Sequence, residues 1–303
     1  MTKYLVKRVL LAILSILIVS VITFFVMNLV PGGPFNKEKA VSPQVQQALE
    51  ERYNLDKPVY QQYFIYMNNL LHGDWGVSLK TGRDIWTDMS SRFKVSAKLG
   101  GTAAIVAIIL GLILGCTAAL RRNKWQDRVI VFFTTLGTAM PSFVLATLLL
   151  LVFCLKLGWV PVWSSSNPNY ILPIIALAVY PLAYITRLTK TSMLDALGQD
   201  YIRTARAKGV PQKKVIFLHG LRNGLIPVIT YVGPMVAYIL TGSMVVENIF
   251  TIGGLGSSFV TSITNRDYTM IMAVTLFLAI LMVIANLITD IAYKLVDPRI
   301  TFK

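Results

Sequence analysis

The sequence DYIRTARAKGVPQKKVIFLHGLRNGLIP, residues 200–227, is a strongly basic segment set between two long apolar runs. Asp200 is placed to cap a short helix on which Ile202, Ala205 and Gly209 fall three and four residues apart on one face, while Arg203, Arg206 and Lys208 point away. Gly209 is a natural stop for that helix. Pro211, whose missing N–H costs nothing in a first turn, starts a second helix expected to carry Val215 and Leu218 inward and Lys213 and Lys214 outward. The reading is a helix–turn–helix elbow, residues 198–224, at a membrane surface. Its narrow Ala205/Gly209 face would let another protein approach closely, as small residues do between packed helices. Basic residues in such a loop also fix topology and attract anionic lipid, but those roles need only charge. The ordered cap, small face, Gly stop and Pro restart ask for a specific partner.

Composition sets the surroundings of this elbow. The chain has 303 residues, 55% of them hydrophobic and 14% charged, whereas soluble domains are about one quarter charged. Apolar runs at residues 9–30, 99–120, 129–155, 225–246 and 268–284 approach or exceed the roughly 20 residues that span hydrocarbon. A sixth, 171–185, is short and becomes long enough on counting to Leu188, with Arg187 lifting its guanidinium to the headgroups. The fold class expected is an all-α polytopic membrane protein with six transmembrane helices.

A net charge of +15 would suggest nucleic acid in a soluble protein, so the placement of the charges decides. Most of the 29 Lys and Arg lie in alternate segments: the N-terminus, the loop after Leu120, the segment after Ile185 and the C-terminus. The positive-inside rule then puts both termini and the elbow in the cytoplasm, with a lipid bilayer and no nucleic acid as the surroundings. Segment 31–98 lies outside, its basic and acidic residues nearly balanced. Cys116 and Cys154, in or beside apolar helices, are too few and too deep for a disulfide framework or a zinc site.

Three regions follow. Residues 1–30 hold the N-terminus and first span; the apolar run exceeds a signal sequence and no small-x-small cleavage site follows, so the helix is retained until Pro31-Gly32-Gly33-Pro34 ends it. Residues 31–98 form a small external helical insertion. There Ser42-Pro43 starts a helix, Val59, Tyr63, Tyr66, Met67 and Leu70 line one face of another, Gly73 ends it and Asp84 caps a third. Trp75, Trp86 and Tyr60 are available for burial, either in a cap leaning on the spans or in an amphipathic collar on the headgroups. Residues 99–303 carry the remaining five spans.

The second span bears Ala103, Ala107, Gly111, Gly115 and Ala119 at successive i+4 steps, a small ridge for close helix packing within the chain or against a second copy. Thr134, Thr138 and Ser142 share a face beside Pro141. Thr230, Pro234 and Thr241 nearly repeat the arrangement in the fifth span, with Tyr238 close by. Hydroxyl stripes of this kind line a solute path, or bond backbone carbonyls and brace a proline kink. Glu247 and Asn248, at the outer end of the fifth span, are candidates for an external gate. The strong charges within reach of the hydrocarbon are Arg187 and Asp290, both near cytoplasmic ends. No acid at the midplane marks a proton or sodium pump.

Catalytic chemistry has little to work with. His72 and His219 lack metal-ligand partners at helical spacing. No G-x-S-x-G, H-E-x-x-H or G-x-x-x-x-G-K-[ST] occurs, so if ATP drives the protein another chain holds it. The expectation is a non-enzymatic subunit with no metal and no cofactor of its own.

At these residues the chain resembles the membrane-spanning subunits of bacterial ATP-binding-cassette importers, specifically the first permease subunit of oligopeptide and dipeptide uptake systems. The marks are PGGPF at 31–35, HGDWGVS at 72–78, RTARAKG at 203–209, GSMVVENIFTIGGLG at 242–256, NRDY at 265–268 and Asp297-Pro298. The resemblance implies the type I importer transmembrane fold in a bacterial plasma membrane. It implies that Arg203, Thr204, Ala205, Arg206, Ala207, Lys208, Gly209, Val210 and Pro211 form a coupling helix fitting a cleft on a cytoplasmic ATPase. It further implies a homologous second permease, a pair of ATPases carrying ATP and Mg, an extracellular peptide-binding protein, and peptide cargo. The wider importer class begins this motif with an acid; here Arg203-Thr204-Ala205 stand at its head, so no salt bridge from that acid carries over. Another small solute imported by the same machine, such as a dipeptide, a nickel chelate or glutathione, an ATP-independent channel or carrier, and a purely structural membrane subunit are the alternatives.

Overall fold

The computed structural model describes residues 2–31, 33–35, 43–240 and 243–296. Gly32, Ser42, Thr241, Gly242, Asp297 and Pro298, used above, lie outside the described residues. The helices are α1 (Thr2–Leu29), α2 (Pro43–Arg52), α3 (Val59–Leu71), α4 (Ile85–Leu120), α5 (Trp125–Ala139), α6 (Ser142–Leu149), α7 (Ile171–Leu197), α8 (Asp200–Ala207), α9 (Gln212–Lys214), α10 (Arg222–Gly224), α11 (Ile226–Leu240), α12 (Met244–Ile249), α13 (Leu255–Asn265) and α14 (Tyr268–Val296). A π-helical stretch, Leu150–Lys156, continues α6, and another, Val215–Leu221, joins α9 to α10.

Five segments are long and apolar enough to cross a bilayer: Val6–Leu29, Ile85–Leu120, Ile171–Leu197, Ile226–Ile249 and Tyr268–Asp290. The remaining apolar run, expected as one span, forms two helices. Its halves, Trp125–Ala139 and Ser142–Lys156, meet at 102°. Met140 and Pro141 are both extended at the joint, because proline has no N–H to continue the ladder and its ring bars the preceding residue from the helical region. Thr134 and Thr138 therefore do not share a face with Ser142, which opens the differently directed α6.

The chain forms two compact units, Met1–Val95 with Gly253–Val283 and Ser96–Ile252 with Ile284–Lys303. In the first, the insertion after α1 leans on α1 and α14. The Tyr63 hydroxyl meets Ser20 Oγ of α1 at 2.8 Å, and its ring sits edge-on to Phe24 at 5.4 Å. Trp75 stacks on Trp86 at 5.5 Å, and both approach Phe277 of α14 edge-on. Tyr60, expected to be available for burial, is exposed, whereas Tyr63 one turn further along α3 is buried.

Two of the sequence marks in this unit are chain-turning devices. In Asn265-Arg266-Asp267-Tyr268, Arg266 adopts a left-handed conformation and Asp267 N–H donates to Ser262 O, closing α13. Asp267 then starts α14, accepting from Met270 N–H, and at the same time accepts from the Leu79 N–H and the Ser78 hydroxyl. In His72–Ser78, Gly73 and Gly76 both have positive φ, and Gly76 N–H closes a turn on Asp74 Oδ1 at 2.8 Å. Asp84 caps α4 as expected, taking the Thr87 N–H at 2.8 Å and the Thr87 hydroxyl at 2.6 Å.

In the second unit α7 is the central helix, touched by α5, α6, α10, α11 and α12. The small ridge of α4 finds its partner within the chain. A Cβ on Gly111 would lie 2.8 Å from Ile185, and one on Gly115 would lie 2.5 Å from Thr189, so glycine is what brings α4 onto α7. Gly100 does the same against the Ile239 backbone of α11.

Candidate functional site: the elbow and the uncovered face of α7

Past Gly198 and Gln199 the chain leaves α7 for α8, the first arm of the elbow. Gln199, not Asp200, occupies the capping position and makes no side-chain cap bond. Asp200 stands inside the first turn, where its charge suits the helix dipole, and its carboxylate pairs with Arg203 at 3.4 Å. The arm ends as the sequence dictates. Gly209 takes φ +73°, Gly209 N–H donates to Arg206 O, and Val210 N–H reaches back to Ala205 O at 3.1 Å.

Ile202 and Val215 are fully buried against each other, joined by Ala205, Leu197 and Val210. Burying each of the two larger side chains contributes roughly 1.5–3 kcal/mol to seating α8 on the second arm. This corrects two expectations. Ala205 is covered by the chain's own second arm, so it belongs to the seat of the elbow, and of the small face Gly209 alone stays on the outer surface. Leu218, expected inward, is 54% exposed, because the π-helical turn from Val215 shifts the register by which a straight α-helix would bury it. The surface that is left includes Arg203, Thr204, Arg206, Ala207, Lys208, Gly209 and Pro211, with Lys213 and Lys214 beyond.

The elbow is continuous with a polar face. The exposed positions of α7 are Ile171, Ile175, Tyr180, Tyr184, Arg187, Thr191 and Asp195, a single stripe at steps of three to five. It turns from apolar to polar at Tyr180. On α11 the exposed positions are Pro227, Thr230, Pro234 and Tyr238. The two helices meet where the Tyr184 and Tyr231 rings approach to 4.3 Å.

Arg187 turns toward α5. Its guanidinium donates to Thr138 Oγ1 of α5 at 3.4 Å. Thr138 lies eleven residues past Asp127, about 16 Å of helix rise, and Asp127 itself pairs with Lys190 at 2.5 Å. The cation therefore points back along the span, as long helical side chains lean toward the N-terminus.

The remaining candidate path residues divide. Thr134 is buried and returns its hydroxyl to Val131 O; Thr230 is exposed with its hydroxyl on Ile226 O. Of the two gate candidates, Glu247 is fully buried and accepts the Ser96 hydroxyl at 2.7 Å, while Asn248 is on the surface with its amide on Met244 O. Residue-by-residue reading missed the Asp127–Lys190 pair, the Ser96–Glu247 bond and the Tyr180/Tyr184 stripe. The stripe was available as polar residues at helical spacing in an otherwise apolar span; the two pairings join residues 63 and 151 positions apart and leave no local signal.

Comparison with known proteins agrees with this architecture. Residues 107–302 match the family described as binding-protein-dependent transport system inner membrane component, and residues 1–99 match the corresponding N-terminal membrane component. The chain is 46% identical to the dipeptide transport system permease protein DppB of Bacillus subtilis, over 99% of this chain and 98% of that one. It is 40% identical to the oligopeptide transport system permease protein OppB of Salmonella typhimurium, over the full length of both. Among solved structures, the MetNI methionine transporter in inward-facing form aligns with a TM-score of 0.55 at 14% identity, covering 69% of this chain and 95% of that one. An amino acid ABC transporter aligns at 0.57, covering 69% and 94%; both share the type I importer transmembrane fold. The chain belongs to the binding-protein-dependent transport system inner membrane components, as a multi-pass membrane permease subunit of the peptide-transporter branch.

Proposed function

We propose that the chain and a homologous second permease together pass peptides inward, driven by two ATPase subunits that bind ATP and Mg and seat on the elbow. An extracellular binding protein delivers the cargo. The observation that carries this reading is the build of the elbow: a fully buried Ile202–Val215 seat holds Arg203, Thr204, Arg206 and Lys208 outward on an arm that leads directly out of α7. Closure of the ATPase pair displaces this arm, and α7 carries the displacement into the spans between outward-facing and inward-facing arrangements. Both termini and the elbow are then cytoplasmic, a placement that the loop charges support. Thr138, Thr230 and Tyr238 contribute to the cargo wall, and Asn248 with the Ser96–Glu247 pair forms the outer gate.

Oligopeptides are the proposed cargo, since the OppB relatives match over their whole length. The 46% identity with a dipeptide permease favours a second reading, dipeptides. Uptake of labelled dipeptides and pentapeptides by cells lacking and regaining the chain separates the two. Chain-dependent entry of pentapeptides supports the first reading; entry of dipeptides alone supports the second. Failure of any ATPase subunit to co-purify in fixed ratio with the chain would remove the driven-import reading altogether.

A further inference from the structure

The proposal here rests on the import reading and deepens it. We propose that Arg187 is a binding station for the carboxylate end of the peptide cargo, on a path wall made by the polar stripe of α7.

The wall comes first. Tyr180, Tyr184 and Arg187 occupy the uncovered face of a span, with the Tyr231 ring of α11 packed at a tilt beside Tyr184. Phenol hydroxyls and a guanidinium on such a face are costly against acyl chains and are satisfied where the face lines a wet passage. The apolar residues of the same stripe, Ile171 and Ile175, stop where the tyrosines begin.

The station is set by charge. Among the described residues no carboxylate pairs with Arg187; its guanidinium donates to the neutral Thr138 hydroxyl, at the long distance of 3.4 Å. The acid of α5, Asp127, is held by Lys190. Asp195, on the same stripe, lies eight residues on, about 12 Å of helix rise. A guanidinium offers a planar fork that takes a carboxylate through two parallel N–H bonds. A peptide of any sequence presents one terminal carboxylate, so a single fixed cation gives grip without sequence preference. The tyrosine hydroxyls above it then serve backbone amides.

The test uses the assembled importer with its binding protein in proteoliposomes, and compares ATP-driven uptake of labelled tri-alanine with tri-alanine amide. Arg187→Gln is expected to lower uptake of the free acid about tenfold or more while leaving the amide unchanged, and Arg187→Lys to restore part of the loss. The binding protein is the same throughout, so its own preference cancels between wild type and variant. An acid-to-amide ratio unchanged by Arg187→Gln would overturn the station.

A second arm covers the case in which the amide is not carried at all. With Cys116 and Cys154 replaced by serine, Arg187→Cys is treated with membrane-impermeant thiosulfonates. A positively charged adduct is expected to restore uptake of the acid and a negatively charged one to abolish it. A cysteine that neither reagent reaches, and that instead cross-links to the second permease, assigns this face to the subunit interface and overturns the proposal. Absence of ATP-driven uptake of any peptide by the wild-type assembly would be a failure of the import reading itself, distinct from either result.

Discussion

Asp127 of α5 and Lys190 of α7 pair at 2.5 Å, ten residues before the elbow's first helix begins, with side-chain exposures of 7% and 22%. The bond fixes the end of α7 that leads to the elbow against the start of α5. Removing one partner leaves the other charge mostly covered. Asp127→Asn is therefore expected to cost about 1–3 kcal/mol, below a fully buried pair because Lys190 keeps some access to water. Thermal unfolding of the purified complex in detergent measures it, and the double variant Asp127→Asn/Lys190→Gln is expected to recover part of the loss.

The α4–α7 contact makes a sharper prediction. A methyl on Gly115 would fall 2.5 Å from Thr189 Cβ and 2.7 Å from Thr186 O, and neither backbone nor β-branched carbon can step aside. Gly115→Ala should destabilise by about 1–3 kcal/mol through overpacking. On the same helix Gly101→Ala meets nothing closer than 3.8 Å and is the matched control. Equal melting temperatures for the two variants would contradict the packing described.

Asp84 gives the insertion a pH dependence. The Thr87 hydroxyl and N–H hold its carboxyl below the usual carboxylate range. A depressed value in the folded state means that the cap's contribution is fully present above about pH 3.9, the ordinary aspartate value, and is lost as pH falls through the folded one. Asp84→Ala should cost about 1 kcal/mol at neutral pH. The gap between wild type and variant should close in acid; a gap that widens there would contradict the cap.

How much of this could be read from residues alone differs from place to place. The Gly209 stop, the basic outer surface of the elbow, the small ridge of α4 and the Asp84 cap were all legible, because each rests on spacing or backbone preference within a few residues. The burial of Ala205 was not. Three-and-four spacing names a face but not its partner, and only the fold brings Val215 over it. The 102° break was half legible: Pro141 marks the place, but the apolar run on both sides reads as one straight span. Arg187 was placed by its distance from the end of the span, whereas the Thr138 hydroxyl on another helix decides where its guanidinium goes.

Gly209 separates the elbow's geometry from its contacts. No atom lies within 4 Å of where a Cβ would stand, so Gly209→Ala acts through backbone strain at φ +73° alone, about 1–2 kcal/mol. Peptide-dependent ATP hydrolysis should continue while uptake per ATP falls, with membrane insertion and assembly unchanged. Uptake per ATP equal to wild type would show that the turn's shape is not used.

The central claim is that an ATPase subunit grips the outer surface of the elbow. Cysteine cross-linking in the assembled importer tests it most directly, with Arg206→Cys on the exposed side of α8 and Ile202→Cys in its buried seat as control. The account predicts an ATP-sensitive cross-link from position 206 to an ATPase subunit and none from position 202. A position 206 that no ATPase subunit reaches, or that is modified only by reagents added outside the cell, would contradict it.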